Sequence, residues 1–147
     1  MSILEKLNNE LKSAMKAQQK ARVNALRLLI SDLKKEKIDK GGELTAEQEL
    51  KVLLTAAKRR KEAIEAYQKG NRQDLVEIER QELEIINEYL PKQMSDEEIA
   101  SEVKKIVEET GASSIKDLGK VMAEAMKRLK GKADGKNVQT IVRSVLA

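Results

Sequence analysis

The sequence predicts an all-helical protein. Three observations carry that prediction. Apolar residues recur at three- and four-residue spacing along nearly the whole chain, the period of one helix face. No segment sustains the two-residue alternation of a half-buried strand. The single proline, Pro91, and Gly41-Gly42, Gly70, Gly111 and Gly131 fall where helical runs end. A length of 147 residues suits one domain or two small ones.

The elements follow in order. Leu4, Leu7, Leu11, Ala14 and Met15 lie on one face of a first helix. Val23, Leu26, Ile30 and Leu33 form the stripe of a second. The polar run Gln18-Gln19-Lys20 separates the two, which the sequence leaves as one kinked helix or two. Gly41-Gly42 breaks the pattern. Thr45 and Gln48 read as a capping box for a third helix striped by Leu50, Leu53, Leu54, Ala57, Ile64 and Tyr67, with Gly70 as its C′ residue. A fourth runs from about Asp74 to Leu90, with Leu75, Ile78, Ile85, Ile86 and Tyr89 inward. Pro91 stops it, because proline has no N–H and restricts the residue before it.

A second unit follows at once. Ser95 and Glu98 form another capping box, and Ile99, Val103, Ile106 and Val107 carry the stripe that Gly111 closes. Ser113 or Ser114 caps the next helix, striped by Ile115, Leu118, Val121, Met122, Ala125, Met126 and Leu129 up to Gly131. Asp134 caps a last helix bearing Val138, Ile141, Val142, Val145 and Leu146. The expected organisation is an N-terminal helical domain of about four helices over residues 1–92 and a C-terminal three-helix bundle over 93–147. The join falls between Leu90 and Met94.

Composition removes several chemistries. The chain has no Cys, His, Trp or Phe and only two Tyr. It therefore holds no disulfide framework, thiol centre or zinc finger. It also lacks the histidine base of Ser-His and Cys-His nucleophile systems. Two aromatic rings make a poor platform for stacking bases. No stretch approaches the roughly 18 apolar residues of a membrane span. The spaced apolar residues of the N-terminus read as an amphipathic helix rather than a signal peptide.

The net charge of +4 is unevenly spread. Residues 113–147 hold eight basic and three acidic side chains, whereas 91–112 hold three basic and six acidic. On an ideal helix that turns about 100° per residue, Lys120, Lys127 and Lys130 fall within roughly 40° of Lys116. The apolar stripe centres roughly 160° away. Lys132 and Lys136 continue the ridge, and Arg143 lies on the last helix. Clustered ammonium groups of this kind suit a phosphate backbone, since they release counterions without base contacts. A solvated face that keeps the protein soluble is the competing reading. Gly119 marks either close approach of another backbone or tight packing against a neighbouring helix, because glycine inside a helix costs about 1 kcal/mol relative to Ala.

Other charged runs read as structural. Lys58-Arg59-Arg60-Lys61 wraps around its helix, with Glu62 and Glu65 as partners four residues on. Glu77, Glu79, Glu82 and Glu84 read as solvated. No metal-ligating motif, catalytic constellation or glycine-rich phosphate loop is present, so catalytic residues, metal and cofactor are all expected to be none. Gly131-Lys132-Ala133-Asp134-Gly135-Lys136 reads as a turn with an N-cap.

Several motifs in order carry a family resemblance. They are Glu88-Tyr89-Leu90-Pro91-Lys92-Gln93-Met94-Ser95, Thr110-Gly111-Ala112-Ser113, Lys116-Asp117-Leu118-Gly119-Lys120-Val121-Met122 and Gly131-Lys132-Ala133-Asp134-Gly135-Lys136-Asn137-Val138. Arg27-Leu28-Leu29-Ile30-Ser31-Asp32-Leu33-Lys34 and Lys58 to Ile64 add to them. Together they resemble the GatB/YqeY family over essentially the whole chain.

That resemblance implies a function. The shared module is the helical tail of the B subunit of the glutamine-dependent aspartyl/glutamyl-tRNA amidotransferase, which helps hold the tRNA. The implied protein is small and bacterial, and the absence of cysteine fits the expected cytoplasmic location. It is a tRNA-binding accessory module with tRNA contacts at Lys116, Lys120, Lys127, Lys130, Lys132 and Lys136. Gly119, Gly131 and Gly135 shape that surface, with Asp134 and Pro91 in structural roles. The amidotransferase or the aminoacyl-tRNA machinery is the implied further partner, and a membrane is not. The family is also grouped under carbon–nitrogen ligase activity with glutamine as amide donor, but neither an ATP-binding half nor an amidase Ser-Lys arrangement carries over. An accessory role in that ligase activity and a helical protein–protein adaptor are the alternatives.

Overall fold

The computed structural model describes residues 2–147 and is all-helical, with no strand among the described residues. The helices are α1 (Ile3–Lys16), α2 (Lys20–Lys40), α3 (Ala46–Lys69), α4 (Gln73–Asn87), α5 (Asp96–Thr110), α6 (Leu118–Leu129) and α7 (Gly135–Leu146). A 3-10 turn, Ile115–Asp117, precedes α6. The chain divides into two compact units, one ending at Leu90 and one spanning Pro91–Ala147.

Local chemistry sets the helix ends. The Thr45 and Ser95 capping boxes are both complete, each hydroxyl accepting the backbone N–H three residues on while the Gln48 or Glu98 side chain accepts from the cap's own N–H. Each satisfies two N–H groups that the first turn leaves without a partner. Gly41, Gly111 and Gly131 adopt φ of 80°, 70° and 80°, the left-handed region where a β-carbon is costly. The third helix ends differently from expectation: Gly70 stays at φ −86°, and Asn71 takes the left-handed turn at φ 56°. Gln18, at φ 57°, makes α1 and α2 two helices rather than one kinked helix.

In the first unit α1 packs on α2, α2 against α4, and α3 along α4. Leu7, Ala14, Leu26, Leu29, Leu33, Leu53, Ala56 and Ile86 form its core. Each Leu or Ile so buried contributes about 1.5–3 kcal/mol relative to exposure. Arg22 ties three helix segments at the edge: its guanidinium donates to Glu10 on α1 at 3.1 Å and to Glu88, just past α4, at 2.7 Å. Ile78 is not inward. It is 52% exposed, and Val76 takes the buried position on α4.

In the second unit α5, α6 and α7 pack pairwise. Ile99, Val103 and Ile106 of α5 meet Val121, Ala125 and Leu129 of α6 and Val138, Val142 and Leu146 of α7. Ile115 is 46% exposed, because it belongs to the 3-10 turn and not to the α6 stripe. Arg128 on α6 pairs with Glu109 on α5 and with Glu124 one turn back at 2.9 Å.

Candidate functional site

The expected lysine ridge spans several elements. Lys116 sits in the 3-10 turn, whose residues advance about 120° each rather than 100°. The helical-wheel alignment of Lys116 with the α6 lysines therefore does not hold. Lys130 is the α6 C-cap, with φ −55° and ψ 125°, and also leaves the wheel. Lys120 and Lys127 obey it: both are exposed, two turns or about 10.5 Å apart along the axis, opposite the buried Val121, Ala125 and Leu129. Lys132 follows in the turn and Lys136 in the first turn of α7, both exposed.

The amines differ in what they already contact. Lys120 Nζ donates to the Thr110 carbonyl at 3.0 Å, at the C-terminal end of α5 where cations are favoured. The side-chain amines of Lys116, Lys127, Lys132 and Lys136 make no hydrogen bond or ion pair among the described residues. All six lysines are exposed.

The glycines and Asp134 depart from expectation. A β-carbon on Gly119 would meet nothing within 4 Å, so Gly119 marks neither close backbone approach nor tight packing. A β-carbon on Gly135 would lie 3.4 Å from the Met126 Cε, an ordinary contact with the end of a flexible side chain. Gly131 is required by its φ of 80°. Asp134 occupies the N-cap position in extended geometry, but its side chain makes no capping hydrogen bond. Ser114 caps the 3-10 turn, and the Ser113 N–H donates to Asp117 Oδ2 at 2.9 Å. That hydrogen bond is the first cause of the lowered Asp117 pKa.

Pro91 heads a short joint. α4 has already ended at Asn87, so the proline does not itself terminate the helix. The Gln93 amide donates to the Pro91 and Gly131 carbonyls, and Met94 N–H donates to the Lys132 carbonyl at 2.9 Å. Sequence reasoning missed Gln93. Its pairing with Gly131 is long-range and leaves no periodic signal.

The acidic run on α4 is not all solvated. Arg60 on α3 lies 2.8 Å from Glu82 and 3.5 Å from Glu79, with all three side chains largely buried. Burial pushes the Glu82 carboxyl up, Arg60 pulls it back, and Glu79 adds to the rise. The first unit also carries open grooves. One of about 390 Å³ between α2 and α3 is bordered by mixed charges, including Asp32, Glu36, Lys51 and Arg59. Another, about 590 Å³, lies between α1 and α2. Among the described residues no His/Cys/Asp/Glu group could hold a metal ion, and no helix is long and apolar enough to cross a membrane.

Fold and surface together define an all-helical protein that offers charged faces and open grooves. The chain belongs to the YqeY-like family, whose model, described as Yqey-like protein, matches residues 4–146. Two curated relatives are both named altered inheritance of mitochondria protein 41, mitochondrial. The one from Lachancea thermotolerans is 37% identical over 111 residues, covering 74% of this chain and 59% of the relative. The one from Clavispora lusitaniae is 34% identical over 114 residues, covering 76% of this chain and 66% of the relative. The chain thus spans about three fifths to two thirds of their length.

These relatives correct three expectations. The family resemblance stands, but the tRNA-binding amidotransferase tail module inferred from it does not, since the relatives are named for mitochondrial inheritance. The bacterial attribution gives way because both relatives are fungal. The cytoplasmic location gives way because both are named as mitochondrial. The physical reason for the error lies in the motifs. Some of their residues, such as Gln93, Gly131 and Ser95, hold a joint and a helix cap, which are features of architecture and specify no ligand.

Proposed function

We propose that this chain is a binding module made of a four-helix N-terminal domain and a three-helix C-terminal bundle, and that the bundle docks a polyanion. Lys116, Lys120, Lys127, Lys130, Lys132 and Lys136 supply the contacts. One observation carries the reading: four exposed amines have no partner in the described residues, within a segment of eight basic and three acidic side chains. Such amines gain by releasing condensed counterions from a phosphate chain, and they need no enclosed cleft. Lys120 and Lys127 present a common outward face, and the loop and α7 lysines extend it.

The relatives' names extend to this chain as part of the proposal: docking serves a process that bears on mitochondria, and organelle fractionation tests that setting. The docking itself is tested with labelled long-chain polyphosphate and duplex RNA over a salt series. Binding by the parent should weaken steeply as salt rises. The triple variant Lys116→Glu, Lys127→Glu, Lys132→Glu should bind at least about tenfold more weakly while keeping its helicity. Equal affinity of parent and variant overturns the assignment.

A further inference from the structure

The groove between α1 and α2 combines an apolar floor with a cationic rim. Leu11 of α1 and Ile30 and Ile38 of α2 supply the floor, and Arg27, Lys34 and Lys35 the rim. Ile38 is 78% exposed, the most exposed large apolar side chain among the described residues. On α1, Met15 lies about 40° from Leu11 around the axis and is itself 50% exposed. The three cations are exposed and have no ion-pair partner among the described residues. One carboxylate, Asp39, borders the same groove.

The placement is regular. Arg27, Ser31, Lys34 and Ile38 follow at intervals of four, three and four, so they lie along one face of α2. From Arg27 to Ile38 that face extends about 16 Å, roughly three turns of helix. A single phosphate or carboxylate would engage one end and leave the apolar floor wet. An extended sugar-phosphate chain would satisfy the cations but gain nothing from Ile38 and Leu11. A helix with leucines at one face and glutamates beside them matches both features along the full length. Its apolar side chains cover the floor while its carboxylates reach Arg27, Lys34 and Lys35.

We propose that the α1–α2 groove docks an acidic amphipathic helix of a partner protein. Leu11, Ile30 and Ile38 take the apolar face of that helix, and Arg27, Lys34 and Lys35 pair with its carboxylates. This surface is separate from the C-terminal lysines and does not depend on their role.

The test uses the full chain and a labelled synthetic helix of fourteen residues, with leucines three and four apart and glutamates elsewhere. Fluorescence anisotropy should show saturable binding of this peptide. A scrambled peptide of equal charge should bind at least about tenfold more weakly, because one apolar face is required. The double variant Ile38→Ala, Lys34→Glu changes only exposed positions and should lose at least about tenfold in affinity with an unchanged helical spectrum. The triple lysine variant of the C-terminal bundle should bind like the parent. No binding, equal binding of the scrambled peptide, or equal binding by the double variant each overturns the proposal. So does binding of phosphatidylserine vesicles that is lost in the double variant while the peptide is ignored.

Discussion

The side-chain amide of Gln93 lies 2.8 Å from the carbonyl oxygen of Gly131, 38 residues further along the chain. The same nitrogen donates to the Pro91 carbonyl at 2.8 Å, and the Met94 N–H reaches the Lys132 carbonyl. The segment before α5 is thereby fastened to the turn between α6 and α7. Two sequence motifs that are far apart become the halves of one joint. Gln93→Glu replaces a two-hydrogen donor with a carboxylate facing two carbonyls. We expect it to destabilise the second unit by about 1–3 kcal/mol, and Gln93→Ala by about 1–2 kcal/mol. Hydrogen exchange at the Val103 and Val121 amides reports that unit directly. Unchanged protection in the glutamate variant would contradict the joint.

Gly119 and Gly131 look equivalent in the sequence and should respond with opposite sign. Gly119 sits in the first turn of α6, exposed, with open space where a β-carbon would go. Gly119→Ala should stabilise α6 by about 0.5–1 kcal/mol through helix propensity and a less free unfolded chain. Gly131 is held at φ 80°, and Gly131→Ala should cost roughly 1–2 kcal/mol. Thermal melts of the two variants against the parent check the sign. If both shift the same way, the backbone argument fails.

Much of the fold was legible because periodicity and capping are local. The Thr45 and Ser95 boxes and the buried stripes of α5 and α7 follow from spacing alone. The lysine surface was half legible. Lys120 and Lys127 obey the helical wheel, but the 3-10 turn at Lys116 and the early exit at Lys130 break it, and neither has a residue signature. Asp134 shows a different limit: its position is right, but no side-chain hydrogen bond forms, because residue type offers a cap without compelling it. Glu79 was readable and missed. It falls about 60° from Val76 around α4, inside the arc that ends at the buried Ile86. A carboxylate inside an apolar arc demands a cation on the facing helix.

The Ser95 box gives a pH dependence of known sign. Hydrogen bonds from Ser95, backbone first and then side chain, hold the Glu98 carboxyl below its ordinary range. A lowered folded pKa means stability that is present above the ordinary glutamate range and lost as pH falls through the folded value. Glu98→Gln keeps the box geometry but removes the charge. The gap in melting temperature between parent and variant should be largest near about pH 7 and close near about pH 3. A gap that widens on acidification would invert the assignment.

The Glu82 carboxyl beside Arg60 should titrate with the opposite sign. The guanidinium Nε lies 2.8 Å from Glu82 and 3.5 Å from Glu79, yet neither Arg60 Nε nor Glu79 Oε2 gains a hydrogen bond. The contact is therefore ionic and under-compensated, with two negative charges sharing one positive. Burial raises the Glu82 pKa in the folded state. A raised carboxyl pKa favours folding at low pH, and that contribution is lost as pH climbs from the ordinary range through the raised value. Glu82→Gln leaves Arg60 and Glu79 as a balanced pair, so it should hold or slightly raise the melting temperature near about pH 7. Arg60→Met leaves two carboxylates together and should cost about 2–3 kcal/mol there, with much of the loss recovered near about pH 4 as one carboxyl protonates. The difference between parent and Glu82→Gln melting profiles isolates this site from Glu98, since the two move in opposite directions. A loss in Arg60→Met that persists undiminished on acidification would show that packing, not charge, holds α3 to α4.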